Sequence, residues 1–136
     1  MNERNAARTI PEHIQKIIQE NDVDVLIKRA QILAQSLEGK DLTNTQIRNV
    51  YASVKQIVNS NEPHDDKNVR RIKMLLPRLH YAAKKTEALK DLAEELSHCI
   101  QALGPQSDAN YDKRFQRFAD YLEAIVAYHY KPSRDY

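Results

Sequence analysis

The chain has 136 residues, a formal net charge of +2, two glycines, one cysteine and no tryptophan. That length suits one domain around one hydrophobic core, and the lone Cys99 excludes an internal disulfide and fits a reducing cytosol. No apolar run reaches the roughly 18–20 residues of a membrane span, and the N-terminal MNERNAARTIPEH lacks the apolar centre of a secretory signal.

Scarce glycine with abundant Ala, Leu, Ile, Lys, Glu and Gln favours helix over sheet. The predicted fold is all-α: a bundle of five to six helices in one domain spanning 1–136. Residues 1–20 supply a tail and short helix, and 21–136 the bundle. Pro11 suits the first turn of the short helix, with Ile14, Ile17 and Ile18 on one face. A second helix runs from about Asp22 to Glu38 and stops at Gly39. Thr43 and Gln46 have capping-box spacing at the start of a third, whose buried stripe is Ile47, Val50, Tyr51, Val54, Ile57 and Val58.

The fourth helix faces Val69, Ile72, Leu75, Leu76, Leu79, Ala82 and Ala83 inward. Pro77 removes one backbone bond, to Lys73, and predicts a kink. The junction at Lys85–Thr86 reads either as a break or as a continuous kinked helix. A fifth helix covers about Thr86–Leu103 and stops at Gly104-Pro105. A last one starts near Asp108 and ends before Pro132. Tyr121, Tyr128 and Tyr130 are expected to add exposed aromatic surface, either as caps of the bundle or as an oligomer contact.

Charge is concentrated in the fourth helix. Lys67–Lys85 holds Lys67, Arg70, Arg71, Lys73, Arg78, Lys84 and Lys85 and no acid, so the rest of this +2 chain carries −5. Solvated helical faces usually mix signs, so seven cations without an acid mark a surface for a polyanion. At about 100° per residue, Arg70, Tyr81, Lys67 and Lys85 fall opposite Ile72, with Arg71, Lys73, Arg78 and Lys84 on the flanks. An outward tyrosine among cations can stack on an unpaired base or fill a pocket on a partner protein. Asn44, Arg48, Lys55 and Asn59 form a second polar stripe on the third helix. It extends the basic surface if the two helices lie side by side.

Catalytic and cofactor signatures are missing from the sequence. His64-Asp65-Asp66 is one His/acid cluster without a second ligand pair, and it reads as a turn before a helix N-terminus. Cys99 falls on an apolar stripe, and both glycines sit at helix ends, so no phosphate-binding loop exists. The expectation is a non-enzyme with no cofactor, no metal, no small-molecule substrate and no membrane association.

Three segments then carry a family resemblance: LTNTQIRNVYASVKQI (Leu42–Ile57), MLLPRLHYAA (Met74–Ala83) and RFADYLEAIVAYH (Arg117–His129). In this order and spacing they resemble blocks of the small subunit of type III-A CRISPR effector complexes, the Csm family. The resemblance implies a non-catalytic helical subunit of a cytoplasmic ribonucleoprotein for antiviral defence. Copies would stack on one another beside guide RNA and target RNA and contact the other subunits. Arg48 and Arg78 match basic positions of the first and second blocks. Lys84-Lys85 departs from the Gly-Arg frequent there. The RNA-binding residues expected are Arg48, Lys55, Lys67, Arg70, Arg71, Lys73, Arg78, Tyr81, Lys84 and Lys85. A protein-only helical adaptor or oligomerisation module, with its basic face on an acidic protein, is the alternative.

Overall fold

Six α-helices, one π-helical turn and one 3-10 turn form the regular structure of residues 10–38 and 44–129, the part of the chain that the computed structural model describes. No strand occurs among the described residues. α1 (Glu12–Ile14) follows Pro11, which is the capping residue itself rather than part of the first turn. The chain continues into the π-helical turn Gln15–Gln19, and Ile14, Ile17 and Ile18 are buried. Asn21 takes φ 59°, a left-handed conformation that asparagine tolerates, and so reverses the chain. Asp22 then accepts a hydrogen bond from the Val25 N–H through Oδ1 at 3.1 Å and starts α2 (Val23–Glu38). The expected stop at Gly39 and the capping box at Thr43 lie outside the described residues.

α3 (Asn44–Ser60) ends at Asn61, again with positive φ. Asn68 on α4 (Asp66–Lys85) is buried and donates through Nδ2 to Ser60 Oγ and the Glu62 carbonyl, both at 2.9 Å. That amide fastens the α3–α4 loop. α4 runs unbroken through Pro77. The Lys85–Thr86 junction is a break: Thr86 is extended, with φ −131° and ψ 104°. The 3-10 turn Glu87–Leu89 then leads into α5 (Lys90–Ala102). Gly104 has φ 74°, a glycine conformation, and stops the fifth segment as expected. The Asp108 carbonyl accepts from the Tyr111 N–H at 3.0 Å and closes a turn, so α6 (Tyr111–His129) starts at the first residue of its apolar stripe, later than the start expected near Asp108.

α6 lies at the centre. It buries Tyr111, Phe115, Phe118, Tyr121, Leu122 and Ile125 against α2, α3, the π-helical turn and α5. Phe115 and Phe118 meet edge to face, with centroids 5.7 Å apart. α4 folds back on α5 and buries Val69, Ile72, Leu75 and Leu79 of the inner stripe read from the sequence, while Leu76, Ala82 and Ala83 of that stripe are half-buried.

The expectation for Tyr121 is corrected. It is fully buried, because its hydroxyl donates to Glu95 Oε2 inside the bundle. His13 Nε2 reaches the same oxygen at 2.8 Å, so one carboxylate on α5 ties α1 to α6. Burial, then the Glu95 charge, push the Tyr121 phenol far up, which keeps it protonated as the donor. Tyr128 is 43% exposed, as expected, and Tyr130 lies outside the described residues. Tyr121→Phe is expected to lower stability by about 1.5–3 kcal/mol, the range for a hydrogen bond to a charged group. Tyr128→Phe is expected to change it by less than about 0.5 kcal/mol. Urea denaturation of the two variants checks the contrast.

Candidate nucleic-acid interface

α4 has one principal neighbour, α5, so much of its circumference faces water. All seven of its cations are exposed, as are Arg48 and Lys55 on α3, and Tyr81 is 64% exposed. The helical framework distributes these ten residues over three surfaces.

On the first surface, Arg71 and Arg78 turn toward α3. With Leu75 they face Ser53, Gln56 and Ile57 across a shallow groove of about 170 Å³. The two arginines are seven residues apart, hence about 10 Å along the helix axis. A second concavity, of about 360 Å³, lies along α3 and is lined by Arg48, Tyr51, Ala52, Lys55, Gln56 and Asn59. Gln56 lines both, so the concavity of the Arg48/Lys55 stripe adjoins the groove of the Arg71/Arg78 pair. The two helices face each other across this groove rather than packing tightly side by side.

The Tyr51 hydroxyl bonds with both Glu123 of α6 and Lys55. Burial first, and the Glu123 charge second, raise the Tyr51 pKa, against the pull of the Lys55 ammonium. Glu123 therefore sits beside the Lys55 end of the surface and offsets part of its positive field.

On the second surface, Lys73 and Lys84 lean toward α5. Lys73 borders a small cleft with Gly104, Pro105 and Gln106. Lys84 lines another with His80, Glu87, Lys90, Glu94 and Ser97, where two carboxylates oppose the lysines. The third surface is the outer edge of α4, with Lys67, Arg70, Tyr81 and Lys85. The Lys85 ammonium lies 5.4 Å from the Tyr81 ring centroid and covers one face of the ring.

Ser53, Gln56 and Glu123 are the additions that the sequence reading missed. Ser53 and Gln56 are uncharged, and only their position beside Arg71 and Arg78 gives them significance. Glu123 comes from α6, 68 positions after Lys55, and no local pattern links the two.

The other chemical candidates have structural roles. His64 Nδ1 is 2.8 Å from Asp112 Oδ2, and Gln106 Nε2 donates to the His64 carbonyl and to Asp66 Oδ1. These contacts tie the α3–α4 loop to the start of α6. No group of three or more His, Cys, Asp or Glu that could hold a metal ion occurs among the described residues. Cys99 is buried, and burial followed by the nearby Glu95 charge raises its thiol well above the usual range. Among the described residues no helix is long and apolar enough to cross a membrane.

Comparison with known proteins places this surface in context. No curated protein and no solved structure matches the chain significantly. The family model described as Csm2 Type III-A matches residues 6–134, nearly the whole chain. That match covers far more than half of the sequence and the fold is the expected helical bundle, so the chain belongs to the Csm2 family, the small subunit of the type III-A Csm complex.

Proposed function

We propose that this subunit holds an RNA backbone along the joined α3–α4 surface, reads no bases and performs no catalytic step. The observation that supports the reading is that Gln56 lines both concavities, so the one with Arg48 and Lys55 adjoins the one with Arg71 and Arg78. Arginine guanidinium groups offer several fixed donors to phosphate oxygens, and phosphate contacts hold a strand without specifying its sequence. Ser53 and Gln56 add uncharged polar groups that suit ribose hydroxyls.

Lys67, Arg70 and Lys85 extend the positive field along the outer edge of α4. Lys73 and Lys84 contribute less, since both lean away from the groove and Lys84 faces Glu87 and Glu94. Guide RNA, target RNA or their duplex all present the required backbone. Within the complex, further copies of the chain would prolong the same surface along the strand. Cleavage of the target then falls to other subunits.

Charge reversal separates this reading from a protein-only adaptor. Arg71→Glu/Arg78→Glu is expected to weaken binding to unrelated single-stranded RNAs by about tenfold or more, and by the same factor for each sequence. Cooperative melting of the variant is expected to be unchanged, because both side chains are exposed. Equal RNA affinity of variant and parent by fluorescence anisotropy would contradict the assignment. Glu123→Gln removes the acid beside Lys55, and is expected to tighten RNA binding about two- to threefold at low salt and to have little effect at high salt.

A further inference from the structure

The outer edge of α4 carries a feature that RNA backbone binding leaves unused. Met74 is 42% exposed and Tyr81 64% exposed, the two large apolar side chains that α4 turns to solvent. Pro77, also exposed, stands between them. With Arg70 they occupy positions i, i+4, i+7 and i+11, which places all four within a narrow arc of the helix. The row is about 16 Å long at 1.5 Å per residue.

We infer that Arg70, Met74, Pro77 and Tyr81 form a docking ridge that inserts into an apolar groove with an acidic rim on another protein subunit of the complex. The spacing is that of an amphipathic helix laid into a groove, where such positions act as anchors. The composition fits as well: Met, Tyr and Arg are enriched in the cores of protein interfaces. Met74 and Pro77 offer phosphate no donor and give a base no aromatic platform, so the ridge is poorly built for RNA. Lys85 already covers one face of the Tyr81 ring. The cations beside the row, Lys67, Arg70 and Lys85, define the complementary charge: a partner groove edged with carboxylates.

Met74, Pro77 and Tyr81 are separate from the α3–α4 groove and only Arg70 also adds to the positive field along the RNA, so this inference goes beyond the RNA reading and the Met74/Tyr81 test can fail alone. It rests on membership of the complex for the class of partner.

The experiment co-expresses the chain with the tagged remaining subunits of its own type III-A complex and measures how much of it co-purifies. Met74→Ala/Tyr81→Ala is expected to reduce incorporation at least tenfold. The same variant, purified alone, is expected to melt as the parent does and to bind single-stranded RNA within twofold of it. Arg70→Glu is expected to reduce incorporation in the same direction through the acidic rim. Undiminished incorporation of the double variant overturns the inference. A matching loss of RNA affinity overturns it in favour of base stacking by Tyr81. Normal incorporation with weakened self-association, read by analytical ultracentrifugation, overturns it in favour of a second copy as the occupant.

Discussion

Seven cations on one helix with no acid among them repel one another, and this constrains where α4 can sit. Like charges at i, i+3 and i+4, such as Lys67 with Arg70 and Arg71, each destabilise an isolated helix by a few tenths of a kcal/mol. Burial on two sides would raise that repulsion by removing water. α4 instead takes the edge of the bundle, with α5 as its main support and a single stripe of Val69, Ile72, Leu75 and Leu79 directed inward. Water screens the remaining charge until a polyanion replaces it. The edge position thus leaves the charged side of α4 open to solvent.

The rest of the molecule provides a rigid mount for that edge. α6 gathers α2, α3 and α5 around an aromatic and aliphatic stripe, and the Glu95 carboxylate anchors His13 and Tyr121 together. Glu95 is partly buried, so loss of these partners would be costly and the contacts favour the observed α1–α5–α6 junction. α3 is held on α6, and its polar flank therefore keeps a set position beside α4. The shared residue Gln56 is the consequence: two basic stripes that are separate in sequence come to line adjoining concavities.

Much of this was legible in the sequence. The apolar period of 3.6 residues identifies the inner stripe of each helix, and Gly104-Pro105 marks a real stop, because both signals are local. Three features were not legible, each for a physical reason. Tyr121 reads as exposed, but its ring is buried because a carboxylate 26 positions earlier accepts its hydroxyl. The break at Thr86 depends on α4 folding back on α5, which no residue at the junction announces. The basic set reads as one face of one helix. In three dimensions it divides into an α3-facing groove, an α5-facing flank partly neutralised by Glu87 and Glu94, and an outer ridge.

The central claim is that the joined α3–α4 surface binds RNA by exchanging counterions at phosphates. Its most direct test is the salt dependence of binding between the purified protein and an unrelated single-stranded RNA of about 40 nucleotides. Each neutralised phosphate contributes about −0.7 to the slope of log affinity against log salt, so contacts from Arg48, Lys55, Arg71 and Arg78 predict a slope of about −3 or steeper. A slope near zero, or no binding at low salt, would contradict the account.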